Sequence, residues 1–373
     1  MNYTQRNKEL YDQFQLGNDK ELIDSNISIR YFPFKSQPLS VIDKKAIALP
    51  IDEKINENLF FQYPVFLHRN TKRTDKAILL LHGLNERNWS KYLTWAECLC
   101  RETGKPVILF PIAFHMNRSP QAWSNPRDLQ QVLDVRRLRN GEDRSLSFAN
   151  VALSQRISEN PYRFYSSGRQ SVYDLTQLML DIKEGRHEIF KKNTQIDFFA
   201  YSIGAFLSQI TIMSNPHGLF SDSKLFLFCG GGIFSSMYGE SRTIMDKRAF
   251  ENLYQYYLND FCSEVEKFSA RDQLFESFNR MISPEREQVE RETFFKGMGR
   301  KFSGISLLND KVMPFTGLHE SLGIECASSR IQFLDFPFSY SHENPFPISA
   351  KNRAEEVDKA FTKVFSEASQ FLA

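Results

Sequence analysis

Phe198-Phe199-Ala200-Tyr201-Ser202-Ile203-Gly204 is the stretch on which the fold turns. An apolar run, Ile196-Asp197-Phe198-Phe199-Ala200, stops short of a serine, and an apolar helical pattern, Ala205-Phe206-Leu207-Ser208-Gln209-Ile210, follows at once. A strand that passes directly into a helix needs small residues two before and two after the turning residue, because the two backbones close on each other there. Ala200 and Gly204 occupy those positions, with Ser202 at the tip. The pentad small-x-Ser-x-Gly recurs by chance, so taken alone it equally describes a serine tolerated in a tight turn.

Outward from this stretch the chain repeats the same grammar. Short apolar runs occur at Ala77-Leu81, Val107-Phe110, Leu225-Cys229, Ile305-Leu308 and Ile331-Leu334, each bounded by turn residues and separated by longer amphipathic segments. Nearly continuous hydrophobicity in strands this short calls for burial on both faces, which predicts an α/β fold with a mainly parallel central sheet flanked by helices. Ile27-Phe34 and Phe61-Leu67 read as strands of an antiparallel edge. Trp89, Tyr92, Leu93, Ala96 and Leu99 mark a helix over 89–101, with Gly104 as its cap before Pro106. Two further helices are expected over Gln170–Phe190 and, closing the chain, over Ala350–Ala373.

Three other strand ends carry chemistry. Ala77-Leu81 leads into His82-Gly83-Leu84-Asn85, where a glycine before a helix suits backbone N–H groups aimed at a developing oxyanion. The donors expected are the N–H groups of Leu84 and Ile203, and His82 is read as a pin for the loop rather than a base. Leu307-Leu308-Asn309-Asp310 ends a strand before Val312 and Pro314 stop it, and His342 follows the strand Ile331-Leu334 in a loop. Asp335 competes with Asp310 as the acid, and His319 with His342 as the base. Asp335 lies only seven positions before His342, and His319 would crowd acid and base into one connection. Each residue also has an ordinary structural reading, Ser202 as a turn residue, Asp310 as a cap and His342 as a packed loop histidine. What those readings leave unexplained is their order, serine, then acid, then histidine, with each just past a strand end.

With these residues in place the sequence resembles the α/β-hydrolase superfamily in its serine-hydrolase form, of a bacterial branch. The resemblance covers about 75–114 and 194–373, and departs from the usual Gly-x-Ser-x-Gly in having Ala200 first. It implies that Ser202 attacks a carbonyl carbon, that His342 takes and returns the proton, and that Asp310 orients His342. The activity it implies is hydrolysis of an ester, thioester or amide, an ester first, with acyl transfer or peptidase action by the same machinery as alternatives. The rival from another class is a binding protein on the same fold that lacks catalysis. No cofactor or metal is implied.

Organisation follows from where this pattern is interrupted. Residues 1–74 form an N-terminal region with edge strands, and 75–232 with 301–373 form the core. A polar segment, 114–167, reads as a loop insertion and 233–300 as a helical cap, its face marked by Phe250, Leu253, Tyr254, Tyr257 and Phe261. Both start beyond a strand's C-terminal end, so both are expected over one site. Asn85, Tyr201 and His115 are candidate substrate contacts, with Asn117 and Arg118 close by. Gly230-Gly231-Gly232 lacks the Lys-Ser/Thr of a phosphate loop and reads as a tight entry to the cap.

Composition bounds the partners. With 373 residues the chain holds one large domain or two modest ones at roughly 150 residues each. It carries 47 basic against 45 acidic residues, which leaves no surplus to hold nucleic acid. The expected ligand is a small molecule with an apolar acyl or aryl group, in keeping with 34 phenylalanines, although packing accounts for most of them. No run nears the ~18 apolar residues that cross a bilayer, and the polar start Met1-Asn2-Tyr3-Thr4 lacks a secretory pattern. Five cysteines in no repeated spacing suit reduced thiols, which together point to the cytoplasm. Cys98 and Cys100 have no second pair to complete a zinc site. Oligomeric state is open.

Overall fold

Burial on both faces, which the continuous apolar runs require, is met in the computed structural model by two layers of helices around one nine-stranded sheet. The structure describes residues 2–42, 49–141, 143–268, 271–348 and 353–373. The strands are β1 Lys20–Glu21, β2 Ile27–Lys35, β3 Phe60–His68, β4 Thr74–Leu81, β5 Val107–Leu109, β6 Phe190–Tyr201, β7 Leu225–Phe228, β8 Phe302–Leu307 and β9 Ile331–Leu334. Their order across the sheet is β1-β2-β3-β5-β4-β6-β7-β8-β9. The pairs β1/β2, β2/β3 and β3/β5 are antiparallel, so the edge expected from Ile27-Phe34 and Phe61-Leu67 is present. All other pairs are parallel.

The period-two alternation of a strand sorts each run between the layers. On β4, Ala77, Leu79 and Leu81 face one core, and Ile78 and Leu80 the other. On β6, Ile196, Phe198 and Ala200 join the first, while Phe199 and Tyr201 join the second. The second layer is built from the helices Tyr3–Gln13, Ser90–Thr103 and Ala354–Leu372, which interlock through Trp95, Phe361 and Phe365. Burying each such side chain stabilises by about 1.5–3 kcal/mol. Gly104 caps the second of these helices in the left-handed conformation that a glycine permits, φ 71°.

Several boundaries differ from expectation. The helix predicted over 170–190 runs Arg163–Lys183, and Phe190 opens β6, which starts six residues before its apolar part. The segment 114–167, read as a loop, contains the helices Pro126–Asn140 and Val151–Glu159. The first is capped by the Asn125 side chain, has Pro126 at its first turn and ends before Gly141. The N-terminal helix Tyr3–Gln13 was not expected. Ala350, the predicted start of the closing helix, lies outside the described residues. The segment 233–300 is helical, with Lys247–Gln255, Phe261–Phe268, Gln273–Arg280 and Gln288–Met298, and Leu253, Tyr257 and Phe261 are buried.

Candidate functional site

Ser202 stands between β6 and the helix Ile203–Ser214 with φ 57° and ψ −124°, a conformation that costs a non-glycine residue on the order of 1–3 kcal/mol. Two glycines make room for it. A Cβ on Gly204 would lie 2.7 Å from the carbonyl oxygen of Leu81, and one on Gly230 would lie 2.7 Å from that of Ser202 itself. Ala200 is fully buried between Leu81 and Leu227 of the neighbouring strands. The local sequence therefore forces the serine out at the C-terminal edge of the parallel strands, where ligands of such sheets bind.

Asp310 and His342 reach the same edge. The Ser202 hydroxyl is 2.7 Å from His342 Nε2, and His342 Nδ1 is 2.8 Å from Asp310 Oδ2. Both distances fall within hydrogen-bond range, and all three residues are nearly buried. The other Asp310 oxygen accepts the N–H groups of Val312 (3.0 Å) and Met313 (2.8 Å), which fixes the carboxylate plane. An ionised carboxylate accepts only, so Nδ1–H donates to it and Nε2 is left to accept the serine proton.

The rival residues lie elsewhere. Asp335 is exposed and accepts from Tyr340 O–H at 2.8 Å and from Asn309. His319 meets Phe315 edge to face, 4.7 Å between centroids.

The loop after β4, the candidate oxyanion loop, is held through His82. Its Nδ1–H donates to the Gly83 carbonyl (2.8 Å) and its Nε2 accepts the Ile112 N–H (3.0 Å). Complete burial drives its pKa well below the usual value, which keeps the ring neutral for both bonds. A trans peptide points its C=O and N–H to opposite sides. With the Gly83 carbonyl turned to His82, the Leu84 N–H faces away from it. Neither the Leu84 nor the Ile203 N–H has a partner among the described residues. Leu84 and Ile203 both line an apolar cavity walled by Phe164, Val172, Phe206, Leu207, Ile210 and Phe278. Ser202 itself does not line it.

The candidate substrate contacts separate. Tyr201 is buried in the second core, stacks on the His342 ring (5.5 Å, 15°) and donates its O–H to the His342 carbonyl. It backs the histidine, a role with no sequence signal because the bond spans 141 positions. Asn85 donates both amide protons, to the carbonyls of Ala149 (2.8 Å) and Thr243 (2.6 Å), and so ties the 114–167 segment to 233–300. His115 does line the apolar cavity. Its Nδ1–H donates to Ala113, and burial lowers its pKa to about 4. Asn117 donates to the Gln62 carbonyl at 2.8 Å. Arg118 is buried on Asp174 at 2.7 Å and stacks on Phe61. Cys98 and Cys100 are buried in the apolar second core, their thiols pushed up to about 12. Among the described residues, no three His, Cys, Asp or Glu side chains could share a metal ion, and no helix is long and apolar enough to cross a membrane.

A mainly parallel sheet, a strained serine between strand and helix, and acid and histidine on later strand ends define an α/β-hydrolase fold. The chain belongs to the family of unknown function DUF6051, whose model matches residues 1–373. No curated protein matches the sequence. Among solved structures, it is similar to a variant of the esterase rPPE complexed with (S)-Ac-CPA, with a TM-score of 0.51, 9% identity, and 95% of this chain and 86% of that one covered. It is also similar to carboxyl esterase 2 of the mycorrhizal fungus Tuber melanosporum, with a TM-score of 0.46, 9% identity and coverage of 99% and 96%. A third, a putative dipeptidyl aminopeptidase IV of Bacteroides ovatus, gives a TM-score of 0.47 at 10% identity, with 93% of this chain but 37% of that one covered.

Proposed function

We propose that the chain is a serine hydrolase that cleaves carboxylic esters through an acyl-Ser202 intermediate. The observation that carries this reading is the pair of hydrogen bonds, 2.7 and 2.8 Å, that join Ser202, His342 and Asp310 in one line. As Ser202 Oγ bonds to the carbonyl carbon, its proton passes to His342 Nε2 and the carbonyl electrons move onto oxygen. The N–H groups of Leu84 and Ile203 receive that charge, each such donor being worth roughly 10²–10³ in rate. The tetrahedral adduct then breaks its bond to the alcohol oxygen, which takes the proton from Nε2. Water repeats the sequence and frees the acid. Asp310 stabilises the imidazolium in both halves and takes no proton itself. The apolar cavity at Leu84 and Ile203 suits an acyl or aryl group, in keeping with a small apolar substrate. In this reading the segments 114–167 and 233–300 wall the site, through residues such as Ile157 and Phe278.

Thioesters, amides and acyl transfer share the first half-reaction. A panel of 4-nitrophenyl esters of increasing chain length tests the ester reading. Ser202→Ala and His342→Gln should each lower kcat/KM by roughly 10³ or more. Turnover that survives Ser202→Ala contradicts it.

A further inference from the structure

A second cavity adjoins the apolar one and differs from it in charge. The two share Leu84, His115, Phe164 and Ser167, so a molecule bound at the candidate oxyanion loop reaches both. Arg87, Arg156 and Arg163 line this second cavity against a single carboxylate, Glu86. Glu86 is already answered by Lys91 and by Tyr92 O–H at 3.0 Å. Arg163 is paired with two carboxylates, with Nε on Asp52 (2.8 Å) and Nη1 on Glu159 (2.8 Å) and the Arg156 carbonyl (2.7 Å).

The other two guanidinium groups have capacity left. Arg156 meets Asp52 only through Nη1, at 3.2 Å, and its plane is fixed by Trp123 and Phe114, whose ring centroids lie 4.1 and 5.1 Å away. Stacking of this kind orients a guanidinium without consuming its donors. Arg87 has no carboxylate partner among the described residues. Its Nη2 donates to the backbone carbonyls of Ala149 (2.6 Å) and Phe148 (3.4 Å). Four cations, Arg87, Arg156, Arg163 and Lys91, thus meet three anions, Asp52, Glu86 and Glu159, and the difference is one positive charge, at Arg87. His115, held neutral, adds none. A half-buried cation without a counter-ion is costly, and a bound anion offsets that cost. The lowered pKa of Arg87, caused by burial alone, agrees with the missing partner.

We infer that this cavity receives a carboxylate-bearing arm of the substrate, held by Arg87 and the unused edge of Arg156, while the apolar cavity takes the other arm. The inference deepens the ester-hydrolase reading and rests on it for the identity of the site. Its first test compares kcat/KM for mono-4-nitrophenyl glutarate, 4-nitrophenyl butyrate and the butyryl ester of 4-hydroxybenzoate. One of the two anionic esters should exceed the neutral ester by roughly tenfold or more. That ratio should collapse in Arg87→Gln and be largely kept in Arg87→Lys, which separates charge from loop support. Equal rates for all three esters, or a ratio untouched by Arg87→Gln, overturn the inference.

A second test needs no turnover. Titration calorimetry of each of the two anionic esters into Ser202→Ala should show, for at least one of them, binding that weakens with salt and is lost in the added Arg87→Gln change. Absence of such binding overturns the inference as well. Binding by Ser202→Ala from a wild type that hydrolyses no ester would sink the hydrolase reading and leave the anion site standing.

Discussion

Gly204→Ala puts the packing of the elbow to the test. The added Cβ would meet the Leu81 carbonyl oxygen at 2.7 Å, the Leu81 carbonyl carbon at 2.8 Å and the His82 carbonyl oxygen at 2.8 Å. All three are backbone atoms in a close-packed interior, so each contact must lengthen by roughly 0.5 Å through movement of the chain. Overpacking of this kind costs about 1–3 kcal/mol. Alanine regains part of it through helix propensity, at most about 1 kcal/mol and less in a first turn. With about 0.5 kcal/mol regained in a first turn, the net loss should be about 0.5–2.5 kcal/mol. The same movement carries the loop that presents the Leu84 N–H, and a shift approaching 1 Å lowers a rate by up to about 10².

Urea denaturation and ester hydrolysis on one preparation measure both effects. Gly104→Ala supplies the contrast. It has φ 71° with nothing within 4 Å of its Cβ, and should lose about 1 kcal/mol from backbone conformation with no change in rate. A Gly204→Ala protein within about 0.5 kcal/mol of the parent and equally active would refute the packing argument.

Other perturbations follow from the same contacts. Asp310→Asn should keep the fold but lower ester turnover by roughly 10⁴, since Nδ1–H of His342 loses its carboxylate; near-normal kcat would count against the relay. Tyr201→Phe removes the bond to the His342 carbonyl and should cost about 1 kcal/mol in urea melts, with reduced turnover. Arg118→Met leaves the Asp174 charge buried without a counter-ion and should cost about 3–5 kcal/mol, which the Arg118→Met/Asp174→Leu pair should largely restore. His187, buried against Tyr63, has its pKa lowered to about 4, so the folded chain resists a proton that the unfolded chain takes up below about 6.5. Its contribution is complete above that pH and is lost as pH falls toward 4, by about 1.4 kcal/mol per unit. Stability measured at pH 7 and pH 5 should converge in His187→Gln relative to the parent, and an unchanged difference would exclude this source.

The strands were legible because burial on both faces leaves a continuous apolar run, as in Ala77-Leu81 and Leu225-Phe228. Where half a strand is polar, as Lys191-Lys192-Asn193 in β6, the pattern conceals it. The helix Pro126–Asn140 buries only Leu129, Leu133 and Arg136, too narrow a stripe to declare itself among charged neighbours. Arg136 is inside because Asp246, 110 positions away, accepts from its Nε and Nη2 with both carboxylate oxygens. The early turns of Arg163–Lys183 were hidden in the same way, since Arg169 is buried by pairing with Asp272.

Ser202, Asp310 and His342 could be picked out as candidates because strand-end chemistry is local in sequence. The supports of the site were not legible. The stacking of Tyr201 on His342, the Asn85 tie between two segments and the uncompensated charge of Arg87 all depend on distant partners.

Whether Ser202 is the nucleophile is answered by covalent mapping. The protein is treated with a fluorophosphonate, its intact mass recorded, and the modified peptide sequenced by mass spectrometry. One adduct is expected, on Ser202, accumulating in step with loss of ester hydrolysis and missing in Ser202→Ala. An adduct on another residue, or hydrolysis that persists in fully labelled protein, would contradict it.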